Sequence, residues 1–148
     1  MTSNSYDLFI SYNSAQLDKG VTEICNYLQK RFNLNIWFNK DQNNLSSSIS
    51  ELNALESSLI FLCFPSNEYK KSTKNKLEYS IALKQEMRII ELRLYNDMRD
   101  FKLPNTTQIK LYDLIDRPNS DEFKKNIYSI KFEVDKMKQI FGQQSIKK

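Results

Sequence analysis

Histidine is absent from this chain of 148 residues. That excludes Ser-His and Cys-His nucleophilic catalysis, and with only two cysteines there is little from which to build a zinc site. Cys25 and Cys63 both sit inside apolar patterns and read as buried free thiols in a reducing compartment. Glycine is nearly missing: Gly20 and Gly142 are the only two, so most tight turns fall to other residues. No apolar run approaches the ~20 residues that a membrane-spanning helix requires. The opening residues, Met1 to Ser5, are polar and lack the apolar segment of a signal peptide. A cytoplasmic protein without a membrane partner is the expectation. No internal repeat, linker or domain boundary is visible.

What is present fits one ordinary domain over 1–148, with a core of about 6–135 and a polar tail at 142–148. A chain of this length can bury a core without disulfides or metals. Apolar residues make up 40% and charged residues 27%, the balance of a soluble globular protein. The net charge of +4 comes from lysines spread along the chain, which reads as a solvated surface rather than a nucleic-acid interface. The cations between Lys70 and Lys76 could still attract an anionic small molecule such as a dinucleotide.

Strand-like apolar runs alternate with helical periods, which predicts an α/β fold with a mostly parallel sheet. The first strand covers Tyr6 to Ser11. Its run Leu8-Phe9-Ile10 is apolar without alternation, as in a strand covered on both faces, and Ser11, Asn13 and Ser14 are placed to cap a following helix. That helix carries Leu17, Val21, Ile24, Cys25, Leu28 and Phe32 on one face. A short strand at Asn35 to Phe38 and a second helix with Leu45, Ile49, Leu52 and Leu55 come next. Leu59 to Phe64 is apolar throughout, is read as the central strand, and ends at Pro65. A lysine-rich loop leads to a third helix of about Lys74 to Gln85, then strands near Arg88 to Leu92 and Ile109 to Leu111. A long helix starts near Ser120, with Phe123, Ile127, Ile130, Val134, Met137 and Phe141 spaced three and four apart. Fewer than three full heptads are present, which predicts packing on the sheet rather than a coiled coil.

The opening Asp7-Leu8-Phe9-Ile10-Ser11-Tyr12 resembles the first strand of the TIR domain family. The Trp37-bearing second strand, the Leu59 to Ser66 strand with its proline-serine turn, the run Tyr69 to Leu83 and Arg88-Ile89-Ile90 continue the likeness over about Tyr6 to Asp135. The resemblance implies a flavodoxin-like three-layer sandwich, a five-stranded mostly parallel sheet with helices on both faces. Its ligand crevice would lie outside the carboxyl ends of the strands, walled by the loops Ser11 to Ala15, Asn39 to Ser46 and Pro65 to Ser72.

TIR domains divide into NAD-cleaving enzymes and signalling scaffolds. Leu77-Glu78-Tyr79-Ser80-Ile81-Ala82-Leu83 is similar to the segment in which the enzymes carry their catalytic glutamate, four residues before an alanine, so Glu78 is the implied catalytic residue. On a helix it lies beside the stripe of Leu77 and Ile81. A carboxylate suits cleavage of the nicotinamide-ribose bond, because it stabilises an oxocarbenium-like state and holds ribose hydroxyls. Nicotinamide leaves as a neutral group, so NAD+ is needed only as substrate, with no further cofactor and no metal. Ser11, Tyr12, Asn13, Phe38, Asn39, Tyr69, Ser72 and Lys74 are the candidate nucleotide contacts. The resemblance also implies partners: other TIR domains, or a second copy of this chain completing the site.

The alternative is a non-enzymatic adaptor acting through TIR-TIR contacts. Two departures favour it. The tryptophan-cysteine pair common before the third helix is replaced in the run Thr73-Lys74-Asn75, and the loop Asn39 to Asn44 has neither glycine nor proline. Asparagines can supply the left-handed turns such a loop needs. A response-regulator receiver is excluded chemically, since Ser11-Tyr12-Asn13 and Phe64-Pro65-Ser66 offer no acidic cluster and no phospho-acceptor aspartate.

Overall fold

The computed structural model describes residues 6–13, 20–38, 48–94, 106–111 and 120–146. Its strands are β1 (Tyr6–Ser11), β2 (Ile36–Trp37), β3 (Ser58–Cys63), β4 (Arg88–Arg93) and β5 (Thr106–Lys110). The helices are α1 (Thr22–Phe32), α2 (Ser48–Glu56), α3 (Asn67–Lys71), α4 (Thr73–Lys84) and α5 (Asp121–Ile146). The strands form one sheet in the order β2-β1-β3-β4-β5, with every neighbouring pair parallel. Parallel neighbours need crossovers, and helices supply those between β1 and β2, β2 and β3, and β3 and β4.

Alternation along each strand divides the core into two layers. Leu8, Ile10 and Tyr12 of β1 and its exit join Ile60, Leu62 and Phe64 from β3, under α1 and α5. Phe9 and Phe61 point the other way, stack with centroids 5.8 Å apart, and pack with Ala54, Leu55, Tyr69 and Ala82. Each fully buried leucine, isoleucine or phenylalanine among them is worth about 1.5–3 kcal/mol in transfer terms. The unbroken apolar runs of β1 and β3 therefore follow from coverage on both faces. β3 is the central strand, as its composition predicted.

Several local expectations need correction. The lysine-rich stretch after Pro65 is not a loop: Asn67–Lys71 forms α3, started by the Ser66 hydroxyl accepting from the Tyr69 amide at 3.0 Å. Helix α1 begins at Thr22, with no side-chain cap bond from Val21; Ser11 and Asn13 hydrogen-bond to α4 side chains, and the capping expected of them and of Ser14 falls on 14–19, outside the described residues. Gly20, just before α1, adopts φ 115, a value that favours glycine, whereas Asn33 supplies the left-handed residue after it at φ 55. Helix α5 runs on to Ile146 and so takes in 142–146 of the polar C-terminal stretch. Its Phe123, Ile127, Ile130 and Val134 are buried against the sheet layer, so the heptad spacing serves packing, not a coiled coil. Arg88 of β4 also pairs with Glu133 of α5 at 3.2 Å.

Candidate functional site

The strand order reverses between β1 and β3, since the chain moves outward to β2 and then returns to the other side of β1. Ligands of open α/β sheets bind outside the carboxyl ends of strands at such a point. Ser11 stands there, in register with Cys63, and its carbonyl accepts from the Phe64 amide at 3.0 Å. Its side chain shares the face of Phe9 and so points towards α3 and α4.

Helix α4 presents an unusual inward face. Asn75, Glu78 and Ala82 are its buried residues, spaced i, i+3 and i+7, while Leu77 is 60% exposed. The stripe of Leu77 and Ile81 is thus split: Leu77 faces solvent, whereas Ile81 stays partly buried against the Phe9 and Phe61 layer. Tertiary hydrogen bonding, not apolar periodicity, orients this helix. The Ser72 hydroxyl caps it by accepting from the Asn75 amide at 3.2 Å.

Glu78 lies at the centre of the resulting network. Its Oε1 accepts from Ser11 Oγ at 2.7 Å and from Asn75 Nδ2 at 3.2 Å. Its Oε2 lies 3.5 Å from Lys74 Nζ, which also pairs with Glu51 of α2 at 3.0 Å. Ser11 Oγ is 2.7 Å from the Tyr69 hydroxyl. A serine hydroxyl has one proton, so with that proton on the carboxylate the tyrosine must donate to the serine. Asn75 Nδ2 further donates to the Tyr12 carbonyl at 3.0 Å, and Asn13 Nδ2 donates to Asn75 Oδ1 at 3.2 Å. The β1 exit and α4 are thereby joined through side chains.

Burial dominates the electrostatics. It pushes the Glu78 carboxyl above its ordinary value of 4.5, against the pull of Lys74 and the Ser11 hydrogen bond. Burial likewise holds the Tyr69 and Tyr12 hydroxyls well above their ordinary range, so both remain neutral donors near neutral pH.

The expected contacts separate into two groups. Ser11, Asn13, Tyr69 and Lys74 gather with Glu78 in one network. Tyr12 and Phe38 pack edge to face at 5.3 Å in the α1-side core, and Ser72 is spent on its cap. Asn39 and the loop 39–46 lie outside the described residues apart from its boundary with Phe38. Sequence reading missed Asn75, 1% exposed and bonded to three neighbours, and Glu51. The i, i+3 spacing of Asn75 and Glu78 was the available signal. Among the described residues no group of three or more His, Cys, Asp or Glu could hold a metal, and no helix is long and apolar enough to cross a membrane. On the far side of the sheet, Tyr27, Arg31, Phe32, Lys124, Lys125 and Tyr128 line an open cavity of about 340 Å³.

The TIR domain family model matches residues 8–127, most of the chain and all of this network. The chain belongs to the TIR domain family. Among solved structures it is similar to the TIR domain of the Toll-related Receptor TRR-2 from the lower metazoan Hydra magnipapillata, at 19% identity and a TM-score of 0.61. That match covers 86% of this TIR domain and 99% of the Hydra chain, and at such identity it establishes the shared flavodoxin-like fold. A search of curated proteins finds no match.

Proposed function

We propose that this TIR domain is an NAD+ glycohydrolase whose catalytic residue is Glu78. One observation carries the reading: a carboxylate only 7% exposed is held at the mouth of the β1–β3 switch point by Ser11, Asn75 and Lys74. A site that invests three donors in one carboxylate orients it, and orientation is what an oxocarbenium-like transition state requires of an anion. The C1′–N bond breaks with its electron pair passing to the ring nitrogen, so nicotinamide departs neutral. Glu78 stabilises the ribosyl cation, and water then takes C1′, giving ADP-ribose. Ring closure onto the adenine instead gives the cyclic product. The reading goes with a cytoplasmic protein in signalling or defence, self-associating so that a neighbouring copy completes the crevice.

The adaptor reading has its own support. Both oxygens of Glu78 are engaged by the chain's own groups, and the aromatic, cationic cavity between α1 and α5 offers a surface for another TIR domain.

Nicotinamide release by concentrated protein, measured beside Glu78→Gln, decides between them. The substitution keeps the shape and an acceptor for Ser11 while removing the charge. Turnover falling by about 100-fold or more fits the loss of transition-state charge stabilisation. Turnover that survives Glu78→Gln discards the site, and none at self-associating concentrations favours the adaptor.

A further inference from the structure

Lys74 differs from the other members of the Glu78 network. Ser11, Tyr69 and Asn75 are buried at 0%, 3% and 1% exposure, whereas the Lys74 side chain is 37% exposed. A ligand approaching Oε2 of Glu78 from solvent therefore meets the ammonium first. That ammonium lies between two carboxylates from different helices, Glu51 at 3.0 Å and Glu78 at 3.5 Å. The closer, and hence the stronger, contact is the one to Glu51. Lys74 can release Glu78 while Glu51 still holds it, so little is lost in the exchange. The ammonium is 37% exposed while the Glu51 and Glu78 carboxylates are only 13% and 10% exposed, so a multiply charged anion can reach the cation and compete for it from the solvent side.

We infer that Lys74 is a latch on Glu78 that a diphosphate-bearing ligand opens by drawing the ammonium away, with Glu51 as the pivot. The inference rests on the reading of Glu78 as the reacting carboxylate, and it makes Lys74 a positioning residue. Closed, the latch covers Oε2 and fills the approach to the carboxylate. Open, it leaves Oε2 to the ribose while the ammonium neutralises the diphosphate. The groups facing Glu78 during this change are Lys74 and Asn75 of α4, Glu51 of α2, Ser11 and Tyr12 at the β1 exit, and Tyr69 of α3.

The test uses inorganic pyrophosphate on the whole chain, with the Glu78 side-chain carboxyl followed by carbon-detected NMR titration. In the wild type, saturating pyrophosphate raises the Glu78 midpoint by about one unit, the lower end for removal of an adjacent cation. Lys74→Met starts at the higher midpoint and does not respond. In Glu51→Gln the ammonium loses its pivot and settles on Glu78, so more pyrophosphate is needed for the same shift. A wild-type midpoint that stays fixed, a Lys74→Met response equal to the wild type, or an unchanged requirement in Glu51→Gln each overturns the latch. Nicotinamide release is scored separately. A midpoint shift without turnover keeps the latch and removes the enzymatic reading, and turnover without a shift does the reverse.

Discussion

Ser11 and Glu78, 67 residues apart in the chain, share a buried hydrogen bond of 2.7 Å. It joins the carboxyl end of β1 to the inward face of α4. The carboxylate that a functional crevice would use is thus also part of what docks α4 on the sheet. With Glu78 as the proposed reacting carboxylate, function and stability meet at this residue, which has measurable consequences.

Stability depends on pH through Glu78. Burial raises its folded-state midpoint above 4.5, so the folded chain binds this proton more tightly than the unfolded one. Stability from this group is then greatest at or below the unfolded midpoint and declines as pH rises through the folded midpoint. Urea midpoints recorded from about pH 4.5 to about pH 7.5 should fall more steeply in the wild type than in Glu78→Gln. Parallel slopes for the two proteins would assign the titration to another group.

Asn75 should matter more to stability than its place in a lysine-rich stretch of sequence suggests. Asn75→Ala removes three buried or part-buried hydrogen bonds, to the Tyr12 carbonyl, Glu78 and Asn13. The expected loss is about 1–3 kcal/mol at unchanged denaturant m-value. Ser72→Ala, which deletes only the α4 cap, should cost about 1 kcal/mol. Urea unfolding of the two variants checks the order, and a larger effect for Ser72→Ala would contradict the hub role.

On α5, Ile127 is fully buried and Phe132 is 56% exposed. Ile127→Ala should destabilise the protein by about 2–5 kcal/mol through its cavity. Phe132→Ala should stay within about 0.5 kcal/mol. Thermal or urea midpoints distinguish the two, and similar losses would mean that both faces of α5 are covered.

Much of this architecture was legible in residue order. Leu8-Phe9-Ile10 and Leu59 to Phe64 declared strands buried on both faces, because only a central parallel strand tolerates apolar side chains at every position. The spacing from Phe123 to Val134 placed α5 against the sheet. The first-strand motif indicated the family before any coordinates.

Only the tertiary structure decided the rest. Helix α4 turns Asn75 and Glu78 inward and leaves Leu77 in solvent, against its apolar pattern, because the Ser11, Tyr12 and Asn13 partners come from elsewhere in the chain. Sequence periodicity reports how a helix would bury apolar surface. It carries no information about polar partners 62 to 67 residues away. For the same reason Asn75, Lys74 and Glu51 became a network only once β1, α2, α3 and α4 were folded around one carboxylate.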